Sequence, residues 1–234
     1  MAVDDSYTKL LLHCNGADAS TTFTDEAGKT VTAVGTAQLD TAQKKFGTAS
    51  GLFDGDSDCL TLADSADWAF GAGNFTIDFW IRHAVLPAVN DYLFFQYVDA
   101  DHYLNFYFTA GKKLGLYDAA DSVELLTTDA LTWVVDTWYH IAVVRNGANI
   151  LIFQDGVSKA LTGTQIGATT LTDFAGTLYI GNNADTRFFN GWIDEYRVSK
   201  GIARWTANFT PPVAEYRLAL VGSPMFFHGG LAAA

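Results

Sequence analysis

Residues 191–212 read GWIDEYRVSKGIARWTANFTPP, and this stretch decides the fold. Trp192 to Val198 has strand character. Simple alternation puts Trp192, Asp194, Tyr196 and Val198 on one face, and Ile193, Glu195 and Arg197 on the other. Ser199-Lys200-Gly201 then breaks the strand, because glycine adopts a positive φ at little cost. A short helical or irregular piece follows with Ile202 and Trp205, and Pro211-Pro212 ends the pattern. Asp194 and Glu195 are adjacent, so a regular strand sends them to opposite faces and they cannot form a facing pair of catalytic carboxylates. The segment is expected to close a β-sandwich rather than to perform chemistry.

The same grammar recurs on either side. Phe75 to Arg82, FTIDFWIR, alternates Phe75, Ile77, Phe79 and Ile81 with Thr76, Asp78, Trp80 and Arg82. Tyr92–Tyr97, His102–Phe108 and Leu114–Tyr117 form three aromatic strands separated by Asp99-Ala100-Asp101 and Gly111-Lys112-Lys113. Trp138 to Arg145 is apolar on both faces, as a central strand covered on both sides would be. Asn146-Gly147 leads into Ile150–Gln154, and Asp155-Gly156 leads out. Earlier, Leu10, Leu12 and Cys14 share a strand face. Residues 20–45 are a surface excursion with weak strands near Val31–Val34 and Gln38–Leu39. Residues 64–68 predict one helical turn capped by Asp64 or Ser65. Many short strands, frequent turn signals and only isolated helical turns predict an all-β, two-sheet antiparallel sandwich.

Five pieces of this pattern also carry a family resemblance: the 191–212 segment, Phe53-Asp54-Gly55, FTIDFWIR at 75–82, WYHIAVVR at 138–145 and FQDG at 153–156. Their order and spacing resemble the laminin-G-like, concanavalin A-like jelly rolls, in a form common in tailed-bacteriophage virion proteins. The resemblance runs from about Lys9 to Pro212. It implies an N-terminal lead at 1–8, a jelly-roll domain at 9–212 and a C-terminal extension at 213–234. The extension is apolar enough to dock, either on its own sandwich or on a neighbouring subunit. This fold serves lectins, glycosidases, adhesion modules and structural virion proteins alike, so function has to be argued from the site.

Composition narrows the classes. The chain has 234 residues, 49% of them apolar and 14% aromatic, enough for a substantial core. No apolar run approaches the roughly eighteen residues that span a bilayer, and MAVDDSYTK lacks the features of a secretion signal. The expected setting is a virion assembled from protein made in the host cytoplasm, with no membrane partner. The Asn-x-Thr matches at Asn74 and Asn208 then read as chance. A formal charge of −12 disfavours phosphate backbones and so nucleic acid. Cys14 and Cys59 are too few for a disulfide scaffold; they read as two buried thiols or as one bridge.

No catalytic constellation emerges. Glycoside hydrolysis needs two carboxyl groups facing one sugar across roughly 5 to 9.5 Å, and the Glu-x-Asp-x-(x)-Glu strand of laminarinase-type relatives has no counterpart. No nucleophile elbow is present, and His13, His83, His102, His140 and His228 show no zinc spacing. Asp54-Gly55-Asp56-Ser57-Asp58 begins like an EF-hand loop, but Cys59 and Ser65 stand where glycine and glutamate are needed, so it reads as an acidic turn. The resemblance implies one structural calcium, on Asn15 or Asp18 together with Asp194. Sugar binding would use aromatic rings with nearby amides: Trp80, Tyr97, Tyr103, Tyr107, Tyr117 and Trp133, with Asn105 and Asn183. Trp80 is expected half exposed on a concave sheet.

The expected function is accordingly non-enzymatic: a structural or decorating component of a phage particle, on head or tail, partnered by other virion proteins or by itself as a homo-oligomer. A glycan-binding adhesion module that recognises a host cell-surface glycan is the alternative, and a polysaccharide hydrolase or lyase a remote one.

Overall fold

Phe75, Ile77, Phe79 and Ile81 all point into one core, and the strand that carries them is the spine of the molecule. The structure is a computed structural model that describes residues 3–4, 6–119 and 123–218. In chain order the strands are β1 (Val3–Asp4), β2 (Thr8–Leu12), β3 (Thr32–Val34), β4 (Gln38–Asp40), β5 (Ser50–Asp54), β6 (Cys59–Leu62), β7 (Phe75–His83), β8 (Asp91–Asp99) and β9 (His102–Phe108). They continue with β10 (Leu114–Asp118), β11 (Val123–Thr128), β12 (Tyr139–Asn146), β13 (Asn149–Gln154), β14 (Val157–Ser158), β15 (Leu161–Gly163), β16 (Thr177–Ile180), β17 (Asn190–Lys200) and β18 (Arg217–Leu218).

Two antiparallel sheets pack face to face. The first runs β14-β13-β12-β7-β17-β5-β4, with β2 also paired to β17; the second runs β15-β11-β10-β9-β8-β16-β6-β3. A separate parallel pair joins β1 to β18. Phe79 of the first sheet meets Phe106 of the second edge-on at 6.3 Å, and it stacks on Tyr196 at 5.2 Å. Such aromatic pairs add to the burial of apolar area that drives the two sheets together. The chain is therefore an all-β, two-sheet antiparallel sandwich, as its alternation predicts, and this agrees with the concanavalin A-like jelly roll that the family resemblance implies. Both cysteines are free and buried. No helix among the described residues is long and apolar enough to cross a membrane.

Two local expectations are corrected. Residues 64–68 form hydrogen-bonded turns rather than a helical turn: Trp68 N–H donates to Ser65 O at 3.0 Å and Ala69 N–H to Ala66 O at 3.3 Å. The second correction lies in β17. Asp194 pairs with Trp80 and Arg197 with Asp78, so two residues of β17 face one of β7. Glu195 is the inserted residue, with φ of 51°. This β-bulge resets the alternation. Ile193 faces the core before it, and Tyr196 and Val198 face the core after it. Trp192 and Asp194 do not share their face. Both Asp194 and Glu195 find their partners on the side away from the core, so the rule of opposite faces fails here.

That outer side is covered. After β17 the chain returns across it as a strap. Trp205 and Phe209 stack at 4.1 Å and pack with Ala142, Val144 and Phe153. Phe209 N–H donates to Gly156 O at 2.9 Å, and a Cβ at Gly156 would stand 1.9 Å from Phe209 O. Tyr216, beyond Pro212, is buried against the same sheet. Of the 213–234 extension, residues 219–234 lie outside the described residues.

Candidate functional site

The outer side of the second sheet is the contrasting surface. On β9, Leu104, Phe106 and Phe108 enter the core, so Tyr103, Asn105 and Tyr107 point out. On β8 a register shift between Tyr92 and Phe94 sends both Leu93 and Phe94 inward. The bulge leaves Tyr92, Phe95 and Tyr97 on the outer side. Tyr117 of β10 and Tyr179 of β16 join them, since Leu116, Leu178 and Ile180 face the core.

The register aligns these rings across neighbouring strands. Tyr179 pairs with Phe95, Phe95 with Asn105, Asn105 with Tyr117, and Tyr97 with Tyr103. Ring centroids are 6.5 Å apart for Phe95 and Tyr179, 5.1 Å for Phe95 and Tyr103, and 5.5 Å for Tyr103 and Tyr117. Tyr92 and Tyr107 stack at 6.2 Å. Tyr107 lies across Gly115, where an added Cβ would meet its ring at 2.6 Å. Tyr92, Tyr97, Tyr103, Tyr117 and Tyr179 are half-buried, so ring surface is open to solvent. Burial, with Tyr117 and Tyr92 alongside, pushes the Tyr103 phenol up to about 12. At the rim, His102 Nδ1 lies 2.6 Å from Asp99 Oδ1. The result is an aromatic platform crossing four strands, with one amide, Asn105, in its middle.

Of the residues proposed from sequence for sugar binding, Tyr97, Tyr103, Asn105, Tyr107 and Tyr117 come together here. Trp80 does not. It lies on the outer side of the other sheet, only 6% exposed, with Lys45 Nζ 3.8 Å above its ring and Phe46 edge-on at 5.8 Å. The expectation of a half-exposed Trp80 is overturned by the loop that closes over it. Trp133 is buried between Phe108 and Tyr139. Asn183 holds a turn, its Oδ1 accepting from the N–H of Arg187 at 2.9 Å. Tyr92, Phe95 and Tyr179 were missed. Alternation alone flags Tyr179 between Leu178 and Ile180, whereas Phe95 was hidden by the β8 bulge.

The buried carboxylates of the first sheet are held internally. Asp78 accepts from Arg197 Nε at 3.0 Å and Nη2 at 3.1 Å, and its Oδ2 also takes the Tyr216 hydroxyl. Burial alone would raise the Asp78 carboxyl, but Arg197 and His140 outweigh it and hold it at about 2. The Arg197 guanidinium also lies 3.6 Å from the Tyr216 ring. At the bulge, Glu195 lies 2.7 Å from His13 Nδ1 and accepts from Tyr216 N–H at 2.8 Å.

Asn15, Asp18 and Asp194 do not form the implied calcium site. Asp194 Oδ2 accepts from the N–H groups of Lys45 and Phe46, and its Oδ1 from Glu195 N–H at 2.8 Å. Burial, with the Glu195 charge adding, pushes this carboxyl up to about 8 against those N–H bonds. Asn15 Oδ1 accepts from Thr48 N–H at 2.6 Å, and Asp18 Oδ1 from Thr41 N–H at 3.0 Å. N–H donors occupy the oxygens that calcium would need, so the set as arranged does not fit the ion. Among the described residues, the ligand-type side chains that converge are His13, Glu195 and Glu215. Asp54 and Asp58 form a capped turn: Asp54 Oδ1 accepts from Asp56 N–H at 2.8 Å, and Asp58 Oδ2 from Asp54 N–H at 2.9 Å.

A concavity of about 640 Å³ opens along the strap beside Trp205, Pro211, Val213 and Tyr216, away from the aromatic platform. Its lining ends at Arg217, next to residues outside the described set.

Comparison with known proteins agrees with this architecture. A family profile described as the concanavalin A-like lectin/glucanases superfamily matches residues 54–204. The chain belongs to this superfamily. No curated protein matches the sequence. Among solved structures, domain 4 of an extracellular arabinanase from Geobacillus stearothermophilus, in complex with arabinotriose, is 19% identical with a TM-score of 0.60, over 85% of this chain and 95% of that one. The binding domain of Paraclostridial Mosquitocidal Protein 1 is 14% identical with a TM-score of 0.61, over 84% of this chain and 49% of that one. A Trypanosoma rangeli sialidase is 15% identical with a TM-score of 0.62, over 86% of this chain and 32% of that one. This superfamily member thus spans about half of the toxin binding domain it resembles, and at these identities the likeness is one of fold.

Proposed function

We propose that this protein is a non-catalytic glycan-binding module, and that its ligand lies on the aromatic platform of the second sheet. The observation that carries the reading is the row of half-buried rings from Tyr179 through Tyr103 to Tyr117. Flat faces of pyranose or furanose rings stack on such a surface, and nearby amides fix orientation. One structural neighbour, matched over 95% of its own length, is a domain in complex with an oligosaccharide, arabinotriose. The absence of catalysis rests on a separate argument. The buried carboxylates Asp78, Asp194 and Glu195 stand on the other sheet and are held by Arg197, by backbone N–H groups and by His13. The platform itself offers rings and an amide in place of two facing acids.

Calorimetric titration of the intact chain with neutral oligosaccharides and bacterial polysaccharides tests this reading. Saturable binding that is lost in Tyr97→Ala supports it. A flat response across the panel would sink it. A place in a phage particle, expected from the resemblance, is compatible with such a module; its test is mass spectrometry of purified particles.

A further inference from the structure

Asn105 is the anomaly of the platform. It is only 4% exposed, and its Oδ1 is buried with no hydrogen-bond partner among the described residues. A buried acceptor left unsatisfied loses its hydration without compensation, so such groups are rare where nothing uses them. Leucine or valine would fill a β-strand position of this size without that cost. Asn105 also occupies the centre of the ring array: Phe95 is its register partner on β8 and Tyr117 on β10, while Tyr103 and Tyr107 flank it along β9. The Tyr103 ring stacks on Tyr117 with an interplanar angle of 22°.

We propose that the Asn105 amide is the polar group that orients a sugar on this platform, and that the Tyr103 ring is the cover a sugar displaces to reach it. This rests on the reading of the platform as a glycan site. The chemistry asked of the ligand is an O–H or an amide N–H, supplied by a sugar hydroxyl or an acetamido group, to satisfy Oδ1. Rotation of one tyrosine side chain about its χ1 bond is a small, fast motion. Gln96 Oε1, another buried acceptor without a hydrogen-bond partner among the described residues, sits between the outward-facing Phe95 and Tyr97, faces the core and offers no comparable surface. A residue that weakens the fold locally while standing in the middle of a candidate site is where function overrides packing.

The test uses the intact chain, titrated with arabinotriose, cellotriose, maltotriose and chitotriose in parallel with thermal melts. For each trisaccharide that the wild type binds, Asn105→Leu is expected to weaken affinity tenfold or more while the melting temperature stays equal or rises. Asn105→Ser, smaller and still polar, is expected to lose less affinity and guards against a misfolded leucine variant. The Tyr103 hydroxyl also hydrogen-bonds with Tyr117; Tyr103→Phe removes that bond and is expected to speed association. Unchanged affinity in Asn105→Leu, with binding still abolished by Tyr97→Ala, overturns the role of Asn105 and leaves the platform standing. A fall in melting temperature that parallels the affinity loss marks Asn105 as structural and likewise overturns the role. An unchanged association rate in Tyr103→Phe removes that ring as the cover. Failure of the wild type to bind any of the trisaccharides overturns the platform and the inference together.

Discussion

His13 Nδ1 and Glu195 Oε1 meet at 2.7 Å where β17 exchanges one neighbour for another. Along one edge β17 pairs first with β5, through Asn190–Ile193, and then with β2, through Tyr196–Ser199. The bulge at Glu195 fills the gap between these partners and turns its carboxylate toward β2. One ion pair thus ties the end of β2 to β17, and Glu195 also takes Tyr216 N–H from the end of the strap.

That pair predicts a pH dependence. Burial would lower the His13 imidazole, but the hydrogen bond and charge of Glu195, helped by Glu215 and Glu26, hold it above its ordinary 6.5. A group raised on folding stabilises fully below its unfolded value, and the contribution is lost as pH rises through the folded value. Thermal melts of wild type and His13→Gln should therefore differ most near pH 6 and converge toward pH 9. A gap that stays constant or widens with pH would show that His13 does not hold its proton here.

The Asp78–Arg197 pair predicts the opposite trend. Asp78 is depressed to about 2 from 3.8, so its contribution is complete above the unfolded value and is lost as pH falls toward the folded one. Asp78→Asn removes the carboxylate that faces the buried Arg197 guanidinium, and breaking a buried pair in this way should cost about 3–5 kcal/mol at neutral pH. Chemical denaturation should show that loss, and it should shrink between pH 4 and pH 2. Equal stability of variant and wild type at pH 7 would contradict the geometry.

Much of this fold could be read in advance because burial imposes a period of two. The clean alternation of Phe75, Ile77, Phe79 and Ile81 survives intact in β7. Alternation fails where a residue is inserted. Nothing in Asp194-Glu195-Tyr196 announces that Glu195 takes a left-handed conformation, since it carries no glycine. The same blindness hid Phe95 behind the β8 bulge. Trp80 was misjudged for another reason: the loop that covers it, through Lys45 and Phe46, lies far away in sequence. Tyr97, Tyr103, Tyr107 and Tyr117 were legible because three consecutive aromatic strands place these rings on one side, although which sheet they would occupy was not.

The strap predicts a glycine pair with different costs. Gly156 has φ of +74°, and a Cβ there would stand 1.9 Å from Phe209 O; Gly147 has φ of +59° with nothing within 4 Å. Both alanine variants bear the left-handed backbone cost of roughly 1–2 kcal/mol. Only Gly156→Ala must also push the strap away from Ala142, Val144 and Phe153. It should be the less stable of the two in urea. Equal destabilisation would mean that the strap is not seated on the 155–156 turn.

The platform predicts selectivity by charge as well as by stacking. Asp99 and Asp101 stand exposed at its rim beside Tyr97 and Tyr103, and the chain carries a formal charge of −12. A sialylated or uronic-acid glycan approaching this face meets repulsion that a neutral one does not. Lys112 and Lys113 occupy the opposite end of the β9–β10 hairpin, beyond Tyr107. Neutral oligosaccharides should therefore bind with little response to salt, because ring stacking is not screened. Tyr97→Ala and Tyr117→Ala should each cost about 2 kcal/mol, as truncation of a central aromatic anchor does. Val85→Ala, exposed on the loop between β7 and β8, should cost nothing. Titrations at low and high salt with neutral and sialylated probes separate the cases: preference for the sialylated probe, weakening with salt, would overturn the charge argument even if Tyr97 still proved essential.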